Sequence, residues 1–322
     1  MSTEAPLSGA PQESSSVGVP LLLFLATVVS VFHAGAYFAG VEPSGGFISS
    51  FVDLKFLSRG ASFGVPLLAI LVTHEFGHYI AARIHRVPAS LPHFIPLPGL
   101  GTGTLGAVIS MRGRIRSRSA LMDIGASGPL AGLCVALPVL VFGLRHSEVL
   151  PQLASGYTQE GQSLGYLALK YLVLGPIPAG YDVQLHPTAF AGWVGLLVTM
   201  INLLPWGQLD GGHVAYALLG EKHHRIAYWL RRSLLLLFGY NLFRFVLPVL
   251  LGHSQLGLFL AISNSMFWLV WFLVLGLIAR ASAGEAHPPF EPGPLSLARR
   301  IIGVVCLVTF VLLFMPTPVA SF

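Results

Sequence analysis

Seven apolar runs, each close to the length a helix needs to cross a bilayer, constrain this chain more than any other feature. They fall at about 17–40, 62–82, 121–144, 188–206, 233–251, 257–279 and 300–315. At 1.5 Å per residue, about 20 residues traverse the hydrocarbon core. Over 322 residues, 54% are hydrophobic and 10% charged, and the mean hydropathy is +0.74, which excludes an ordinary soluble domain. A segment in lipid must satisfy its own backbone, so helices are the default. The expected fold is an all-α polytopic membrane protein with about seven transmembrane helices. An eighth run, Leu164–Leu174, carries Lys170 and ends in GPIP, which suits an interfacial or re-entrant piece.

Orientation follows the placement of Lys and Arg in short loops. With the N-terminus on the cytoplasmic side, Arg83, Arg86, Arg112, Arg114, Arg116 and Arg118 share one loop. Lys222, Arg225, Arg231 and Arg232 share a second, and Arg280, Arg299 and Arg300 a third. These are thirteen of the 18 basic residues, so the charge bias supports seven spans and predicts a bacterial inner membrane. The run MRGRIRSR beside a span reads as a topology or lipid-headgroup signal, and no nucleic-acid partner is expected. Residues 1–16 lack the basic start of a secretory signal and read as a disordered tail. Cys134 and Cys306 lie in apolar runs as small hydrophobes.

The chain divides into the tail 1–16, an N-terminal span and connector 17–60, a membrane core 61–220 and C-terminal helices 221–322. No loop exceeds the roughly 40 residues from Arg145 to Pro187, too few for a further domain of ordinary size. Residues 91–118 differ from a polar loop. Prolines and glycines break any helix from Leu91 to Gly103, and Thr104–Ser110 offers a short β-branched run. The expectation is a small membrane-associated β-strand or re-entrant region lining a water-filled cavity, with a loop lying flat at the interface as the alternative. Thr104, Leu105, Gly106, Ala107 and Val108 are the candidate substrate-binding edge.

Within the second run, LVTHEFGHYIAAR places His74, Glu75 and His78 where ionisable groups cost about 2.5–3.5 kcal/mol each. Four residues apart on a helix, the two histidines share a face and can hold one metal. Glu75 is turned away from the ligands, where it can take a proton from water. A catalytic zinc usually has three protein ligands. The partner must share the depth of His78, about five residues inside the basic flank that begins at Arg83. Asp210, in INLLPWGQLDGGH, is the leading candidate by depth, with Asp123 as a second carboxylate and His213 as a nitrogen donor.

HEFGH in one span followed by Asn202, Pro205, Asp210 and Gly211 in the pattern N-x-x-P-x4-D-G resembles the site-2 protease family of intramembrane zinc metalloproteases. The intervening GTLGAVISMRGRIRSRSALMDIGASGPLAG is similar as well, so the resemblance covers about Pro66 to Gly220. It implies one zinc ion per chain held by His74, His78 and Asp210, with Glu75 as catalytic base and Asn202 stabilising the oxyanion. Asp123 then becomes structural. The implied substrate is a transmembrane protein cut in or near its membrane segment by a site facing the cytoplasm, in the branch without a PDZ domain. Membrane lipid is the other expected partner. A zinc-binding or transport protein without proteolytic activity is the alternative, and a peptidase trimming prenylated proteins is a further one.

Overall fold

The computed structural model describes residues 17–111, 115, 117–153, 155–281 and 293–322. The tail 1–16, Arg112, Arg114 and Arg116 of the basic loop, and most of the proline-rich stretch near 286–294 lie outside the described residues. Helix α1 (Gly18–Phe38) leads through a loop to α2 (Leu54–Arg59), capped by the Asp53 carboxylate, which accepts from the Lys55 and Phe56 amides. The long α3 (Ala61–Ile84) carries the histidine pair in its second half. Strands β1 (His93–Pro96) and β2 (Thr104–Val108) follow, then α4 (Arg118–Arg145), which begins on a Ser117 cap.

From the far end of α4 the chain forms β3 (Glu148–Pro151), β4 (Thr158–Glu160), α5 (Leu164–Leu174) and β5 (Tyr181–Gln184). Helix α6 (Pro187–Asn202) returns toward the histidines, with proline at its first position, where the missing N–H costs nothing. Next come α7 (Asp210–Leu219), α8 (Lys222–Asn241), α9 (Leu247–Leu250), α10 (Leu258–Ser265), α11 (Phe267–Ala281), α12 (Leu297–Leu313) and β6 (Val319–Ser321).

The protein is mostly helical, and among the described residues four helices are long and apolar enough to cross a membrane: α1, α3, α4 and the continuous unit Lys222–Leu250. A fifth arises if α10 and α11, bent by 44°, form one broken span. Seven full-length spans are therefore not confirmed. The run 188–206 yields a helix of 16 residues because Pro205 follows its end, and most of α6 is buried inside the bundle. The run 300–315 yields the 17 residues of α12. Main packing joins α3 to α4 and both to α6, with Trp193, Leu140, Leu67 and Ile70 in the core.

Between Leu91 and Gly103, where the sequence suggests irregular backbone, a strand forms. β1 and β2 pair antiparallel as His93↔Val108, Phe94↔Ala107 and Pro96↔Thr104, with an irregularity between Phe94 and Pro96. The hairpin packs along α1: the Phe94 ring meets Phe24 edge-on at 5.1 Å. Gly103 (φ +83°) abuts the Ser30 carbonyl so closely that any Cβ would collide with it. Nothing in the local sequence marks β3, β4, β5 and β6. β3 pairs with β5 and β4 with β6, each antiparallel, and together they cap the end of the bundle remote from the histidines.

Candidate metal centre

His74, Glu75 and His78 occupy one turn of α3 and are 3%, 8% and 7% exposed. The two imidazoles bring their Nε2 atoms to 3.2 Å of each other. Asp210, the first residue of α7, places Oδ2 3.4 Å from His74 Nε2 and 3.2 Å from His78 Nε2. Among the described residues this is the cluster able to hold a metal ion, with one donor atom from each member within 4.8 Å of the others. Atoms presenting lone pairs to one buried point repel unless a proton or cation lies between them. Two imidazole nitrogens and one carboxylate oxygen also form a donor set suited to catalytic zinc.

The ring orientation is set by a neighbour. His78 Nδ1 lies 2.7 Å from the Ile124 carbonyl of α4. A carbonyl can only accept, so Nδ1 carries the proton and Nε2 is left as the donor toward the cluster. Helix α4 approaches this closely because Gly128 faces the His78 ring, and a Cβ at 128 would overlap Nε2. One turn on, a Cβ at Gly132 would come to 3.1 Å of the His74 Cβ. On the third side, Gly211 lets the start of α7 close against the Leu203 carbonyl.

The structure separates the candidate third ligands. Asp123 accepts from Arg299 at 2.9 and 2.8 Å and lies 2.8 Å from His85 Nε2, so its oxygens are already engaged. His213 lies one turn into α7, its Cβ facing Gly125 of α4, and is outside the cluster. Asn202, at the end of α6, brings Nδ2 to 3.3 Å from His74 Nε2 and so forms part of the wall. Glu75 is within electrostatic range of His78 and Asp210. Thr104 is buried in β2, whereas Leu105 and Val108 are exposed and Gly106 and Ala107 intermediate. The role of Ile124 has no signature in the sequence, whereas the α3–α4 contact leaves its trace in small residues on both helices, Gly77 against the Ser127 carbonyl and the glycines of SGPLAG against the histidines.

Gly128→Ala is expected to lower zinc affinity by roughly 10–100-fold, the range for losing a partner that orients a metal ligand. Elemental analysis of the purified chain after dialysis against buffered zinc measures this. Wild-type zinc retention would show that His78 has room to move.

The sequence model of peptidase family M50 matches residues 62–243, which contain His74, Glu75, His78, Asn202 and Asp210. The chain is 31% identical over 229 residues to the probable zinc metalloprotease EGY1, chloroplastic, of Arabidopsis thaliana, covering 63% of this chain and 40% of that protein. It is 32% identical over 179 residues to the probable zinc metalloprotease EGY2, chloroplastic, of Oryza sativa subsp. indica, covering 54% and 32%. To the probable zinc metalloprotease EGY3, chloroplastic, of the same subspecies it is 28% identical over 291 residues, covering 79% and 44%. The chain thus spans less than half the length of these relatives. Their chloroplast location gives no support to the bacterial inner membrane expected from charge. No solved structure matches the chain.

Proposed function

The chain belongs to peptidase family M50, the site-2 protease family, and from that premise we propose that it is a zinc metalloprotease. In this reading it hydrolyses peptide bonds within or beside the membrane-spanning segments of protein substrates, as in regulated intramembrane proteolysis. The observation that carries the reading is the convergence of His74, His78 and Asp210, with Glu75 on the same turn, inside an apolar helix. One zinc ion held by those three residues would supply Lewis-acid polarisation of water and of the scissile carbonyl.

The chain's own groups do the rest. Glu75 takes a proton from the attacking water and delivers it to the leaving amine. The Asn202 amide donates a hydrogen bond to the carbonyl oxygen as negative charge develops there. Glu75 is buried in α3, and the exclusion of bulk solvent there strengthens its interactions. A helical substrate hides its carbonyls and must unwind before attack. β2 pairs only with β1 among the described residues, so its other edge can receive the extended segment by strand addition. Counting α6 and α12 with the five longer units gives the seven crossings that the charge distribution favours, with the metal centre toward the basic side of the membrane.

The test is cleavage of a synthetic single-span peptide by the purified chain in detergent. Products cut in or beside the span, lost with a chelator and restored by zinc, are expected. Absence of products from zinc-loaded protein, for every span offered, would sink the reading. In the same assay, Val108→Pro removes a backbone donor from β2 and lowers cleavage while zinc stays bound. Unchanged cleavage would remove β2 from the mechanism.

A further inference from the structure

At the end of the bundle remote from the metal centre, the two small sheets and the start of α6 line a half-open cavity of about 790 Å³. Its wall combines the carboxylates of Glu160 and Asp182 with the rings of Phe38, Tyr157, Phe190 and Trp193. Glu160 is only 9% exposed. Its Oε1 is saturated, accepting from the Tyr166 hydroxyl at 2.8 Å, Gln162 Nε2 at 3.1 Å and Lys170 Nζ at 3.2 Å. No donor among the described residues reaches its other oxygen.

Asp182 Oδ1 accepts from the Val183 amide at 2.7 Å and lies 3.5 Å from the same Lys170, while Oδ2 has only Gln159 Nε2 at 3.4 Å. Two carboxylates thus share one ammonium, and one negative charge is left facing the cavity. The described lining contains no Lys, Arg or His. An unbalanced carboxylate in a half-open space whose walls are largely apolar calls for a cation with an apolar stem, the head meeting the charge and the stem lying along the rings. A lysine or arginine side chain has that form.

We propose that this cavity binds a basic side chain that the substrate carries just beyond its membrane-spanning segment, on the side away from the metal centre. The identity of the ligand as a peptide rests on the protease reading above. Trp193 in the cavity and Asn202 at the metal centre are nine residues apart on α6, or about 13 Å along its axis. The cut therefore falls about four residues from the basic side chain if the intervening segment is extended, and about nine if it is helical.

The test uses the full chain in detergent with zinc chelated, so that binding is read without cleavage. Two labelled single-span peptides differ only in arginine or glutamine at the flank, and fluorescence anisotropy measures each affinity. Wild type is expected to favour the arginine peptide by about tenfold, and Asp182→Asn, which leaves Glu160 to pair Lys170, to reduce that preference below about threefold. Equal affinities in wild type, or an unchanged preference in the variant, would overturn the proposal. Displacement of the arginine peptide by N-acetyl-arginine amide at equal concentration would also overturn it, since the site would then serve free cations. Restoring zinc separates the two readings: an intact preference with no cleavage fails the protease reading alone, whereas cleavage without preference fails this one alone.

Discussion

Glu75→Gln is expected to lower the turnover of a single-span peptide by roughly 10²–10⁴-fold, the usual contribution of a positioned general base, while about one zinc per chain is retained. The glutamine amide keeps the volume of the carboxylate in a position that is 8% exposed, so packing around α3 is preserved. What disappears is the ability to accept a proton from water. The histidines and Asp210 keep their mutual geometry, because Glu75 is not a member of that cluster. Single-turnover kinetics beside elemental analysis of the same preparation measures both quantities. A variant that cuts at the wild-type rate would exclude Glu75 as the base, and one that loses its zinc would make it a ligand or support. The same substitution discriminates hydrolysis from zinc transport, since a transport site needs the ligands but no base.

The histidine pair could be read from the sequence because a 3.6-residue period fixes which face residues 74 and 78 share. From the residues alone the third ligand narrows to Asp210 ahead of Asp123 and His213, because counting spans gives depth and not direction around the bundle; it is the family resemblance that selects Asp210. Direction is set by long-range packing. Arg299 approaches Asp123 from 176 residues away, and Gly128 admits α4 to the His78 ring. The first has no local signature, and a glycine shows that something approaches without showing what. The apolar runs likewise indicate which segments enter the membrane but not where a helix stops: Pro205 ends α6 early, and a 44° bend divides the run near 257–279. Strands β3 to β6 are three or four residues long and pair across distances such as Glu160 to Val319, below the length at which alternation can be recognised. The candidate substrate strand fared better because β-branched residues mark it. Its partner β1 was hidden by the prolines of PHFIPLP.

Asp210→Ala is expected to strip zinc from the chain to well below one ion per molecule, whereas Asp123→Ala retains it. Both carboxylates lie near the basic end of the bundle, so the pair tests geometry against simple depth. Removing Asp210 leaves His74 and His78 as a two-nitrogen site, below the three protein ligands of a catalytic zinc, and takes away the negative charge that offsets the cation. Removing Asp123 instead frees Arg299 and His85, which are partly exposed and can be hydrated, so the expected cost is a lower melting temperature with the metal still bound. Asp210→Asn refines the result: it preserves an oxygen donor without the charge, and an intermediate zinc content would assign the shortfall to electrostatics and the remainder to coordination. Retention of a full zinc by Asp210→Ala would break the proposed ligand set. Loss of zinc by Asp123→Ala with an unchanged melting temperature would show that the Arg299 pair sits closer to the metal than its contacts indicate.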